Sequence, residues 1–76
     1  MRELKIGGKY KHYKGNFYEV IGIGRDSEDP QKRLVVYKAL YASPEFGPNQ
    51  IWVRSKEDFL AKITKDGKTY FRFEEI

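Results

Sequence analysis

The sequence predicts a mainly β domain, a small SH3-like barrel of about five short strands with one short helix before the last strand. Short runs of aromatic and β-branched residues alternate with turns that are rich in glycine, proline, asparagine and aspartate. One helix-start signal is present, and it lies close to the C-terminal end. The 76 residues suffice for one domain, residues 1–76, in which twelve aromatic side chains supply a core without any cysteine.

The first two strands are predicted at residues 9–14 and 17–24, joined by Gly15-Asn16. Gly followed by Asn is typical of a two-residue type II′ hairpin turn, with the glycine at the position that needs a positive φ. The register that follows from such a turn places His12 opposite Glu19.

This register also assigns the side chains of the hairpin to two faces. One face carries Tyr10, Phe17, Ile21 and Ile23, and the other carries Tyr13, Tyr18 and Val20. Apolar residues on both faces are expected when a twisted strand wraps around a small barrel. We expect Gly22 and Gly24 to allow a bend or bulge in the second strand.

The middle of the chain is predicted to form a loop, a strand, a second loop and a second strand. Residues 25–32 form a polar loop, and residues 33–42 form the central strand, with a helix over residues 38–42 as the competing assignment. Residues 43–50 hold two prolines and a glycine and are predicted to be a loop, and residues 51–54 form a short strand.

The C-terminal part begins with a capping box, in which Ser55 is the N-cap and Asp58 the third helical residue. One or two helical turns should follow, with Phe59, Leu60 and Ile63 facing the core. Asp66-Gly67 predicts a turn before a closing strand over residues 70–74, in which Phe71 and Phe73 point inward and Tyr70 and Arg72 outward. An OB-like barrel would need a longer helix and longer strands.

Several runs resemble an uncharacterised bacterial family, catalogued as domain of unknown function 1653. They are residues 8–16 (GKYKHYKGN), 18–23 (YEVIGI), 34–41 (LVVYKALY) and 52–54 (WVR), and the resemblance ends at residues 72–74 (RFE). The chain departs from the family pattern after Arg54 and has a longer loop over residues 43–50. The resemblance implies a small bacterial β-rich domain, and it supplies no activity and no functional residues.

The excess positive charge lies at the start of the chain. Residues 1–16 carry a net +4, equal to the net charge of the whole chain, and the other sixty residues are balanced. Such asymmetry can attract a polyanion, although a lysine-rich edge that resists aggregation is the structural alternative. We expect residues 1–7 to be a mobile arm and the protein to be cytoplasmic, since no export signal or membrane-spanning run is present.

Catalytic and cofactor signals are weak. The chain has one histidine, His12, which the predicted register pairs with Glu19. We interpret this pair as a cross-strand contact and not as part of a catalytic triad, because no nucleophile motif surrounds any serine. The acidic residues 26–29 lack the spacing of a calcium loop, and the Gly22-Ile23-Gly24 run lacks the third glycine of a dinucleotide site. We therefore predict no enzyme activity, no cofactor and no metal site.

Binding is the favoured class of function. The leading hypothesis is a module that binds nucleic acid or another polyanion through stacking aromatic rings and phosphate-binding cations. The alternative is a protein- or peptide-binding adaptor, or a weak homodimer, that uses an exposed aromatic and arginine patch. A third hypothesis is a small enzyme that uses His12 and Glu19. The candidate binding residues are Lys9, Tyr10, Lys11, His12, Tyr13, Lys14 for the polyanion and Tyr37, Tyr41, Trp52, Arg54 for the patch.

Overall fold

The computed structural model describes residues 4–76. Its one helix is α1 (Lys56–Phe59). Its strands are β1 (Lys9–His12), β2 (Phe17–Arg25), β3 (Arg33–Ala39), β4 (Ala42–Ser43), β5 (Gly47–Pro48), β6 (Ile51–Ser55), β7 (Lys62–Lys65), β8 (Lys68–Phe71) and β9 (Phe73–Glu75). No helix in this part of the chain is long and apolar enough to cross a membrane.

The main sheet has five antiparallel strands in the order β6-β3-β2-β1-β9. A meander whose last strand returns to pair with the first, after one helical turn, is the predicted SH3-like connectivity. The mainly β fold class is therefore confirmed. Within residues 4–76, no hydrogen-bonded ladder joins the edge strands β6 and β9, so the sheet is curled but open. The sequence did not predict the small hairpins β4–β5 and β7–β8.

The core lies on one face of this sheet, which we call the inner face, and is dominated by aromatic rings. The buried hydrophobic residues are Tyr10, Tyr18, Val20, Val35, Tyr37, Ala39, Phe59 and Phe73. Phe59 of α1 stacks on Phe73 of β9 with ring centroids 4.0 Å apart, and Tyr10 and Tyr37 meet Phe59 edge to face. One helical turn thus closes the inner face of the sheet.

The register predicted for the first hairpin is wrong. Phe17 pairs with Lys11, and the loop is closed by the His12 amide donating to the Asn16 carbonyl and the Gly15 amide donating to the His12 carbonyl, both at 2.8 Å. Gly15 has φ 108°, which is typical of the bulge residue in a three-residue hairpin loop. The observed register sets Tyr10 opposite Tyr18, so both rings enter the core, and it leaves Phe17 exposed.

The second strand bends where the glycines predict. The β2–β3 register shifts between Val20 and Gly22, which confirms the predicted bulge. Past the bulge, Ile23 lies opposite the buried Val35. Ile21 at the bulge continues the outward series of Phe17 and Glu19 and is exposed, and Ile23 is 37% exposed as well.

The central strand ends earlier than predicted. Strand β3 stops at Ala39, and β4 begins at Ala42, so the competing helix over residues 38–42 does not form. The predicted loop at residues 43–50 contains part of the β4–β5 hairpin, in which Gly47, the first residue of β5, has φ 83°.

The helix start is confirmed, because the Ser55 hydroxyl accepts a hydrogen bond from the Asp58 amide at 3.2 Å. The helix has a single turn, and Ile63 belongs to β7 instead of a second turn. Asp66 and Gly67 both have positive φ, as the predicted turn requires.

The closing strand is not continuous. It breaks at Arg72, so β8 pairs with β7 while β9 pairs with β1. Phe73 is buried as predicted, whereas Phe71 and Arg72 are both half-buried.

The residues before β1 make several contacts with the sheet. Leu4 packs against the core, the Lys5 amide donates to the Tyr10 hydroxyl at 3.0 Å, and the Gly7 amide donates to the Val20 carbonyl at 2.8 Å. Residues 1–3, and with them the charge of Arg2, lie outside the described residues. The mobility of an arm over residues 1–7 stays a prediction.

Candidate functional site: a cationic seam between the edge strands

The lysines of the first strand face acidic side chains that are distant in sequence. Lys9 lies opposite Glu19 of β2, and Lys11 lies opposite Glu74 of β9. Before the strand, the Lys5 Nζ is 3.2 Å from a carboxylate oxygen of Glu75. The fold therefore offsets much of the charge excess that the sequence places at the N-terminal end.

Two of the predicted binding tyrosines are core residues. Tyr10 is 1% exposed and Tyr37 is 6% exposed. Their rings pack against Phe59, so neither presents a face on which a base or a peptide could stack. Both tyrosines were candidate binding residues, but the hairpin register and the alternation of β3 turn them inward.

The hairpin tip keeps the predicted combination of cations and rings. The Lys14 Nζ lies 5.8 Å from the centroid of the half-buried Tyr13 ring, and the Lys11 Nζ lies 5.9 Å from the centroid of the exposed Phe17 ring. These are cation–π distances, and both ammonium groups stay accessible to solvent.

The predicted aromatic and arginine patch is not a flat exposed surface. Trp52 lies opposite Tyr37 on the inner face and packs against the core, as does the half-buried Tyr41. Phe46, which is 53% exposed, meets the Trp52 ring edge to face at 5.5 Å. Phe46 was not among the predicted binding residues, because this phenylalanine stands alone among loop residues that show no periodicity.

Arg54 connects the two open edges of the sheet. It belongs to β6, yet its guanidinium carbon lies 5.9 Å from the ring centroid of Phe73 on β9. The strands β6 and β9 are at opposite ends of the five-stranded order. The curl of the sheet therefore brings its edges together, and we call the group at this junction, His12, Tyr18, Tyr41, Arg54 and Phe73, the seam cluster.

His12 occupies the seam beside Phe73, with ring centroids 4.9 Å apart, and it does not pair with Glu19. Glu19 points away from the core, 3.9 Å from the Lys38 Nζ, so the predicted His12–Glu19 pair is wrong. The Lys14 amide donates to His12 Nδ1 at 3.2 Å, which places the proton of the neutral ring on Nε2.

The surroundings of His12 disfavour its charged form. Burial, followed by the positive charges of Arg54, Lys14 and Arg72, lowers the pKa of His12 below 6.5. The imidazole is therefore neutral at pH 7, and three cations lie within electrostatic reach of it.

The tyrosine pair completes the donor set of the seam. The hydroxyls of Tyr18 and Tyr41 are 2.9 Å apart, and either can donate to the other. Burial and this hydrogen bond raise the pKa of Tyr18, so its hydroxyl stays protonated at neutral pH. One of the two hydroxyl protons forms the hydrogen bond between the tyrosines, and the other hydroxyl proton remains available to donate.

The seam has cations and donors but no close acidic partner in the part of the chain that the structure describes. The ion pairs of residues 4–76 are Lys5–Glu75 and Lys38–Glu19, and neither involves the seam cluster. Glu74 lines a hollow of about 160 Å³ together with His12, and it lies opposite Lys11 on the neighbouring strand.

Arg72 was predicted to point outward from the closing strand. It adds a second guanidinium beside the seam cluster. Its buried Nε has no hydrogen-bond partner among residues 4–76. The sequence offered no signal for the seam beyond the inward alternation of residue 73, because the residues of the seam cluster come from four separate strands and from the segment between β3 and β4.

Other possible sites are weaker. No group of three or more histidine, cysteine or acidic residues suited to a metal ion occurs within residues 4–76. A hollow of about 660 Å³ is lined by Lys32, Arg33, Lys56, Asp29 and Glu57 among others. Its charges are mixed and most of its lining side chains are exposed, so it defines no ligand chemistry.

The fold and the seam define a class: a small, mainly β domain of SH3-like connectivity with a cationic, aromatic junction between its open edges. Residues 8–75 match the family described as a protein of unknown function, DUF1653, and the chain belongs to that family. A crystal structure of a DUF1653 protein from Bordetella bronchiseptica is similar to this chain, with a TM-score of 0.82 and 26% identity over 100% of this chain and 91% of the other. No curated protein matches the chain.

Proposed function

We propose that this domain is a non-enzymatic binding module for nucleic acid or another polyanion. The binding face consists of the hairpin tip, with Tyr13 and Lys14, and the half-buried residues of the adjoining seam, which are His12, Tyr41, Arg54 and Arg72. The observation that carries the proposal is geometric: Arg54 and His12 lie beside the same Phe73 ring, Lys14 lies at the adjacent hairpin tip, and no ion pair among residues 4–76 involves these three residues.

Uncompensated charge at a half-buried place costs free energy. A protein whose structure needed only packing there could use an apolar side chain, or pair the arginine with a carboxylate. The lysines at positions 5, 9 and 11 do face acidic residues in this fold. The contrast supports an external anion as the missing partner of the seam.

The aromatic rings beside these cations favour nucleic acid among polyanions. Tyr13 is half-buried at the hairpin tip, under the Lys14 ammonium, and Phe17 is exposed. Bases stack on such rings while the cations bind the phosphates, and this mode of binding does not require a particular sequence.

The test is the affinity for a single-stranded oligonucleotide as a function of salt. If Arg54, Arg72 and Lys14 each neutralise one phosphate, the logarithm of the association constant should fall by about 2 per tenfold rise in salt. Lys14→Gln should weaken binding and reduce the slope, whereas Lys65→Gln, at the exposed turn of the β7–β8 hairpin, is the matched control. An absence of binding at low salt contradicts the proposal.

A second candidate function is a protein- or peptide-binding adaptor, or a weak homodimer, and Phe46 favours it. An exposed phenylalanine that covers a half-buried tryptophan is a suitable anchor for a partner. Sedimentation of the isolated chain tests the dimer, and Phe46→Ser should abolish it. The emission of Trp52, the one tryptophan of the chain, should shift when a partner binds. The expected cytoplasmic location agrees with either function and stays a prediction.

A further inference from the structure

The seam cluster has the composition of a site for one particular chemical group. Arg54 offers a planar fork of N–H donors from β6, and His12 offers Nε2–H from β1. The Tyr18–Tyr41 pair offers one hydroxyl proton. These three kinds of donor come from separate parts of the chain and lie around one ring, that of Phe73.

Phe73 is the common neighbour that brings these donors together. Its ring centroid lies 4.9 Å from that of His12, 5.5 Å from that of Tyr18 and 5.9 Å from the Arg54 guanidinium carbon. The buried Phe73 ring therefore forms an apolar base, and the donors surround it. Phe73 itself is 1% exposed and its ring stacks on Phe59, so a ligand reaches only the half-buried residues at the rim, which are His12, Tyr41 and Arg54. Low local polarity strengthens a charge-assisted hydrogen bond at such a place.

We infer that the seam cluster binds a phosphate monoester, such as the terminal phosphate of a nucleic acid strand. This inference rests on the proposed function and names the group that the seam recognises. A monoester carries about −1.5 to −2 charges at pH 7 and three terminal acceptor oxygens. An internal phosphodiester carries a single charge, so it matches three cations and three kinds of donor less well.

The arginine is the residue on which recognition depends most. A guanidinium binds phosphate through two parallel N–H···O bonds, which a lysine ammonium cannot reproduce. Arg54→Gln should weaken binding of a terminally phosphorylated oligonucleotide by about tenfold or more, the effect of losing a hydrogen bond to a charged group. Arg54→Lys should recover only part of that loss.

The single histidine of the chain provides a direct reporter of the site. We would follow the His12 imidazole by NMR while inorganic phosphate replaces chloride at constant ionic strength. A bound phosphate should raise the pKa of His12, because a nearby negative charge favours the imidazolium form. The rise should vanish in Arg54→Gln and persist in Arg33→Gln, the matched loss of an exposed arginine elsewhere.

The oligonucleotide experiment compares three probes: a single strand with a 5′-phosphate, one with a 3′-phosphate and one with neither. A preference for a phosphorylated end that is lost in Arg54→Gln supports the inference. Equal binding of all three, with Arg54→Gln no weaker than Arg33→Gln, overturns the inference and leaves the proposed function intact. If no oligonucleotide binds at low salt, the proposed function fails, and the response of His12 to inorganic phosphate decides the seam site alone.

Folding of the variants is checked by denaturant unfolding followed through Trp52 fluorescence. Should Arg54→Gln fail to fold, Arg54→Lys, which keeps the charge and the cation–π contact, carries the comparison with Arg33→Gln. A rise in the pKa of His12 on addition of phosphate that is the same in Arg54→Lys as in the parent chain overturns the role given to the guanidinium fork.

Discussion

Phe59 is the side chain through which the four-residue helix α1 contributes to the core. It has no exposed surface, and it stacks on Phe73 while Tyr10 and Tyr37 meet it edge to face at 5.3 Å. Replacement by alanine removes the apolar area of the ring and leaves a cavity, at a cost of about 3–5 kcal/mol. A single core of this size supplies about 3–5 kcal/mol in total. We therefore expect most Phe59→Ala molecules to be unfolded at room temperature.

The assay is urea unfolding followed by Trp52 fluorescence and by circular dichroism. Phe59→Leu keeps most of the buried area and loses the ring contacts, so its free energy of unfolding should fall by about 1–2 kcal/mol. Phe46→Ala, which removes an exposed phenylalanine, should cost less than about 1 kcal/mol. A loss below about 2 kcal/mol for Phe59→Ala would refute the claim that this helical turn closes the core.

Three further predictions concern the hairpin loop, the helix start and the seam. Gly15→Ala should lower the free energy of unfolding by about 1 kcal/mol or more, because φ is 108° there, whereas Gly24→Ala, where a methyl group meets open space, should change it little. Ser55→Ala removes the hydroxyl that accepts from the Asp58 amide and should cost about 1 kcal/mol, with Ser55→Asp as the control that keeps an acceptor. The pKa of His12 is lower in the folded chain than the unfolded value of 6.5, so the unfolded chain binds more protons, and stability should fall as the pH drops through 6.5. His12→Gln should flatten this part of the stability curve measured by urea unfolding, and an unchanged pH dependence would contradict the assignment.

Local signals in the sequence were reliable where a few neighbouring residues decide the structure. Ser55 and Asp58 form the predicted cap, and the β2–β3 ladder shifts register at the predicted glycine. Asp66-Gly67 forms the predicted turn. Each of these features depends on backbone conformations or hydrogen bonds within about four residues, so tertiary packing has little to override.

Such local signals were not sufficient to predict the register of the first hairpin. Gly15-Asn16 is compatible with a two-residue turn and with a three-residue loop that ends at Gly15, since both use a positive φ. The two loops differ by an odd shift of the strands, which exchanges the faces of one strand relative to the other. The observed choice buries Tyr10 and Tyr18 together against Phe73, a residue near the other end of the chain.

The candidate site was predictable only in part. His12 and Arg54 were among the candidate residues, but in two separate sites, and Tyr18, Arg72 and Phe73 were not among them. The charge excess of the N-terminal residues also suggested a more positive surface than the fold has, because Glu74 and Glu75 of β9 lie beside β1. Linear counting of charge does not describe which charges are neighbours once strands pair.

Side-chain periodicity and backbone preference were sufficient to predict the mainly β fold class, the SH3-like order with one helical turn near the end, and the local caps, turns and bulge. Both act over short distances along the chain. Tertiary packing, in contrast, sets which tyrosines are buried, which lysines face carboxylates and that Arg54 and His12 lie beside the same Phe73 ring. The reason is the curl of the five-stranded sheet, which brings Arg54 of one edge strand to Phe73 of the other, although within residues 4–76 no strand ladder joins the two edges. No local residue pattern therefore predicts this contact.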